Sequence, residues 1–118
     1  MKGVVLVFEL ESKARELAEI LVNSDEYKKY IEAKKKLEEN SELLGNVNEY
    51  RKRKFYIQNN PDDNMQNALA QLRNEYDYLL NNPVVREFID GELAVCKNVR
   101  TVTNILVDSI DMDMNFLN

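Results

Sequence analysis

The stretch from Asn82 to Ile110, NPVVREFIDGELAVCKNVRTVTNILVDSI, constrains the fold more than any other part of the chain. Val85, Ile89, Cys96, Val99, Val102, Leu106 and Ile110 recur at helical spacing, Asn82 can cap the first turn, and Pro83 suits the first helical position. The pattern predicts one long helix. From Pro83 to Ile110 it would run about 42 Å at ~1.5 Å per residue, longer than a compact domain of this size is wide. Such a stripe needs a partner surface, and part of it is expected to reach beyond its own subunit.

The rest of the chain offers the same kind of element. Its 118 residues include three glycines and two prolines, too few for the many tight turns of a sandwich or barrel. Leu10, Ala14, Leu17, Ala18 and Leu21 fall on one helical face. The run before them, Val4 to Phe8, is apolar on every side and suits either a buried helical extension or an edge strand; if exposed, it is a dimerisation surface. Asn23-Ser24-Asp25-Glu26 starts a second helix to about Glu39, with Tyr27, Tyr30, Ile31 and Leu37 inward. Asn40-Ser41-Glu42 starts a third, carrying Leu43, Leu44, Val47, Tyr50 and Ile57. Asn60-Pro61-Asp62-Asp63 predicts a fourth from Pro61 to Leu80, with Met65, Leu69, Leu72, Tyr76 and Leu79 or Leu80 inward. The expected fold is all-α: an elongated antiparallel helical bundle with a long C-terminal helix, one domain over residues 1–118. Residues 1–8 form an apolar N-terminal extension, and the tail 111–118, which has no period, should fray.

Candidate chemistry is thin. With no histidine, Ser-His-Asp and Cys-His arrangements are impossible, and the commonest zinc ligand is missing. No carboxylate pair is set among apolar residues in a way that would raise one pKa for acid–base work, so the acids read as solvated faces. The single cysteine, Cys96, allows no internal disulfide and no cluster held by several thiolates of one chain; on the apolar stripe it should pack as a small hydrophobe. Asp111-Met112-Asp113-Met114-Asn115 imitates the opening of a calcium loop, but Phe116 stands where the sharp turn needs glycine. The expectation is no catalytic residue, no metal and no cofactor. A net charge of -5 gives no general attraction to polyanions, no apolar run approaches the ~20 residues that cross a bilayer, and the start shows no signal-peptide cleavage site. The chain is therefore placed in the cytoplasm.

Two features remain as interaction candidates. A glycine at position 91 costs the long helix about 1 kcal/mol relative to alanine, which calls for close helix approach, with a bend as the alternative. Gly91, Val99, Val102 and Leu106 form the expected homodimer interface. The second feature is the basic turn Arg51-Lys52-Arg53-Lys54, flanked by Tyr50 and Phe55-Tyr56, which pairs positive charge with stacking rings as a single-stranded RNA site would. Four successive helical residues cover a full turn, however, and cannot all meet one phosphate backbone. Arg51, Lys52 and Arg53 are therefore read as a protein-partner patch, with direct RNA binding through residues 51–54 as the alternative.

Ala14-x-x-Leu17-Ala18-x-x-Leu21-x-x-Ser24-x-Glu26-Tyr27-x-x-Tyr30, followed by Ala33 and Leu37, resembles the opening of the YlbF/YmcA family of small bacterial regulators. Asn82-Pro83-Val84-Val85-x-Glu87-Phe88 resembles the start of that family's last long helix, and the likeness spans about Leu10 to Ile110. The resemblance implies an all-helical, usually dimeric, non-catalytic protein acting through protein contacts in the control of competence, sporulation and biofilm formation. Its best-known members form a complex that directs ribonuclease Y processing of messenger RNA and can carry iron–sulfur clusters. This sequence lacks the C-terminal cysteines of those members, and Cys96 lies in the helix instead, so no cluster is expected.

Overall fold

The three strongest cap signals become helix starts in the computed structural model, which describes residues 2–110, the side chains of residues 2 and 4 excepted. The Ser24 hydroxyl accepts from the Tyr27 N–H at 3.3 Å, the Asn40 Oδ1 from the Leu43 N–H at 3.1 Å, and the Asn82 Oδ1 from the Val84 N–H at 2.9 Å. Each satisfies a donor that the first helical turn would otherwise leave unpaired. Six helices follow among the described residues: α1 (Lys2–Val22), α2 (Asp25–Glu38), α3 (Ser41–Asn59), α4 (Met65–Glu75), α5 (Asp77–Leu80) and α6 (Pro83–Ser109). No strand forms among them, and Val4 to Phe8, open between helix and strand in the sequence, is helical. The tail, expected to fray, and the calcium-like run within it lie outside the described residues.

Two boundaries differ from the sequence pattern. The fourth helix starts at Met65 rather than Pro61. The Asp62 carboxylate accepts from the Asn64 N–H at 2.8 Å, a local turn that competes with helix over those residues. The helix then breaks at Tyr76 instead of running on to Leu80. No glycine or proline stands there. The break falls where the Tyr76 ring packs 5.3 Å from that of Tyr50 and its hydroxyl accepts from Arg53 at 3.3 Å, so tertiary contacts interrupt a pattern that propensity would continue.

The core sits at one end of the molecule. Ala33 and Leu37 of α2, Val47 and Tyr50 of α3, Leu72 of α4, Leu79 of α5, and Val85 and Phe88 of α6 are buried together, with Leu37, Val47 and Val85 fully enclosed. α2 runs antiparallel to α6: Lys36 reaches Glu87 at 3.7 Å, and six residues earlier Tyr30 lies against Gly91. α6 is 27 residues long, about 40 Å, and its second half continues past the start of α2. α1 touches α2 and α6 over a short length only, with Leu17 and Leu21 half-buried and its remaining described side chains exposed. The radius of gyration is 18.5 Å, against about 13.5 Å for a compact chain of this length, and the principal extents are 57 × 38 × 19 Å.

Candidate protein-interaction surfaces

α3 carries the basic turn, and its helical geometry sends the two arginines to opposite sides. Arg51 Nη2 donates to Glu92 Oε2 of α6 at 2.7 Å, and its guanidinium lies 5.4 Å from the centre of the Phe88 ring. Arg53 Nη1 donates to Glu75 Oε1 of α4 at 2.8 Å and sits 5.4 Å from the Tyr76 ring centre. This hydrogen bond holds the Glu75 carboxyl below the ordinary carboxylate value and raises the Arg53 guanidinium further above its own. Both arginines thus fasten α3 to its neighbours, one to each side. Among the described residues Lys52 and Lys54 form no ion pair, so they are the charges of this turn left for a partner. Tyr50, a candidate base-stacking ring in the sequence, is buried against Tyr76; Phe55 and Tyr56 are exposed.

Between α3 and α6 lies an open cleft of about 530 Å³. Lys52, Lys54 and Phe55 form its α3 wall; Ile89 and Leu93, with Glu92 tied to Arg51, form its α6 wall. Leu93 belongs to no site read from the sequence, and Lys54 only to the RNA-binding alternative over residues 51–54. Leu93 stands at helical spacing between Ile89 and Cys96, at the edge of the apolar stripe of α6, and the position of α3 makes it part of a wall.

The expected dimer residues divide. A Cβ placed on Gly91 would meet the Tyr30 Cα at 3.0 Å, so the close approach this glycine permits is made inside the chain, between α2 and α6. Val99 and Leu106 are exposed at 47% and 55%, Val102 is half-buried, and Ile105, Val107 and Ile110 are exposed beside them. Cys96, expected to pack as a small hydrophobe, is exposed, because α2 begins too late in the chain to cover that turn of α6. On α1, Val5, Leu6, Val7, Phe8 and Leu10 are all more than half exposed. This meets the condition under which that run reads as an association surface. Isolated exposed leucines are ordinary, but two neighbouring helical arms with consecutive exposed apolar side chains are not.

Among the described residues no group of three histidine, cysteine, aspartate or glutamate side chains is arranged to hold a metal ion. No helix among them is long and apolar enough to cross a membrane.

A UPF0342 protein of Caldicellulosiruptor bescii is 26% identical over 101 residues, covering 83% of this chain and 85% of that protein. No solved structure is a significant match. The profile of the family described as control of competence regulator ComK, YlbF/YmcA, matches residues 10–111, from the first face of α1 to just beyond α6. With most of its length covered by that match, the chain belongs to the YlbF/YmcA family, whose description is regulatory.

Proposed function

We propose that the protein is a non-enzymatic, single-domain cytoplasmic regulator that works as a homodimer through protein–protein contacts. The observation that carries this reading is the pair of apolar arms: α1 and the second half of α6 leave the core with most of their large apolar side chains exposed. Burying a leucine or valine contributes about 1.5–3 kcal/mol, so arms of this kind are strongly favoured to associate. Val99, Val102 and Leu106 supply the α6 part of the shared surface, and the first turns of α1 extend it. The processes served are competence and, by kinship, sporulation and biofilm formation, including the link to ribonuclease Y. Direct RNA binding is the weaker reading, since Arg51 and Arg53 are spent on Glu92 and Glu75 and Tyr50 is buried.

Sedimentation equilibrium over a wide concentration range tests the proposal. A dimer that Leu106→Glu converts to monomer is the expected result; a concentration-independent monomer in the unmutated protein rules the reading out.

A further inference from the structure

The cleft between α3 and α6 and the free face of α1 have matching chemistry. At ~100° per residue, Val5, Phe8, Glu9, Ser12, Glu16 and Glu19 of α1 fall on one stripe. All six are exposed, and the stripe lies on the side of the helix away from Leu17 and Leu21, the residues that face the core. It begins with a valine and a phenylalanine and continues with three carboxylates, of which Glu16 meets Lys13 of its own helix at 3.3 Å in a solvent-exposed pair that a stronger partner can displace. The cleft offers the complement: Phe55 and Leu93, exposed at 67% and 57%, stand beside Lys52 and Lys54. This is a local positive surface on a chain whose net charge is -5. From Asn48 to Gln58 the α3 wall is about 15 Å long, and Phe8 to Glu16 on a helix spans about 12 Å.

The chain's own α1 is poorly placed to fill this cleft. It is one helix to Val22, and the tight turn at Asn23 and Ser24 joins it to α2, so Phe8 stands about 21 Å along the arm from Val22. We infer that the cleft is the seat for α1 of a second copy, with Phe8 against Phe55 and Leu93, and Glu9 and Glu16 facing Lys52 and Lys54. An amphipathic helix in an apolar groove with charged walls is a recurrent mode of recognition, and in a two-fold dimer each contact would occur twice. The inference rests on the homodimer proposed above and specifies how the α1 arm is covered.

Charge exchange tests it in the full-length protein. The Lys52→Glu/Lys54→Glu and Glu9→Lys/Glu16→Lys variants should each dimerise at least about tenfold more weakly by sedimentation velocity, since each sets like charges opposite one another. Mixing the two should restore association as a heterodimer. Lys52→Glu alone, at an exposed position, guards against misfolding at the half-buried Lys54, and far-UV circular dichroism checks each variant. If unmutated protein is monomeric, the dimer reading fails and this inference with it. If Leu106→Glu breaks the dimer while both charge variants dimerise normally, or if the mixture fails to restore association, only the α1 assignment is overturned.

Discussion

The two halves of α6 carry apolar residues at the same spacing and end in different surroundings. In the first half Val85 is fully enclosed and Phe88 is 3% exposed, because α2, α3 and the short α5 close around them. In the second half Val99 and Leu106 face outward, with α1 nearby over a short length only. The comparison shows that periodicity specifies a helix and the face that wants cover, while the supply of cover depends on where other elements begin and end. α2 starts at Asp25, and its antiparallel path carries it alongside α6 only as far as the turns around Gly91 and Ala94. Beyond that point the same stripe becomes a surface.

The sharpest way to break this contrast is to remove equivalent side chains from the two regions. Leu37→Ala at the fully buried end should lower unfolding free energy by about 2–5 kcal/mol, the range for cavity-forming leucine truncations. Leu106→Ala, measured by urea denaturation at concentrations low enough to keep the protein monomeric, should change it by less than ~0.5 kcal/mol. Similar losses at both sites would show that the arm is covered within one chain.

A second test concerns association. Leu106→Glu should weaken dimerisation by about 2 kcal/mol or more, roughly 30-fold, as expected for a central apolar contact replaced by a charge. Leu37→Ala should leave the association constant of the folded protein unchanged. Analytical ultracentrifugation on matched samples separates the two.

Glycines sharpen the comparison further. Gly91→Ala adds a Cβ against the backbone of Tyr30, so the gain in helix propensity is outweighed and a net loss of about 1 kcal/mol is expected. Gly45, within α3, has nothing within 4 Å of an added Cβ, and Gly45→Ala should stabilise by about 0.5–1 kcal/mol. Opposite signs in thermal or chemical unfolding are the expected outcome; equal gains would mean that α2 and α6 can separate at Gly91 without loss.

The smallest effect is the pH dependence of the Arg53–Glu75 pair. The hydrogen bond from Arg53 holds Glu75 below its ordinary 4.5. Its contribution is therefore complete above that value and disappears as pH falls through the lower, folded-state value. The melting-temperature gap between unmutated protein and Glu75→Gln should be small at pH 6 and should close as the pH is lowered progressively below 4.5. A gap that stays constant would detach the pair from α3–α4 stability.

Much of the architecture was legible in local chemistry. Ser24, Asn40 and Asn82 cap where their side chains imply they should, because a cap depends only on residues two or three positions apart. Pro61 misled, since the Asp62 carboxylate prefers a turn that moves the helix start to Met65. The break at Tyr76 had no local signal at all, being tied to Tyr50 and Arg53 more than twenty residues away. The candidate site was less legible than the fold. Arg51, Lys52 and Arg53 look alike in a linear reading, and their different fates depend on Glu92 and Glu75, supplied by two other helices.

What the sequence by itself determined is the all-helical class, the caps at Ser24, Asn40 and Asn82, and the apolar face of each helix, all consequences of short-range hydrogen bonding and a 3.6-residue period. What only the tertiary structure decided is which apolar residues are covered and which charges are spent. Gly91 serves a contact within the chain, Cys96 and Leu106 remain outside, and Lys52 and Lys54 rather than Arg51 or Arg53 are left for a partner. The physical reason is that burial and ion pairing are relations between distant segments. Residues of the same type and spacing acquire different roles according to where the neighbouring helices stop.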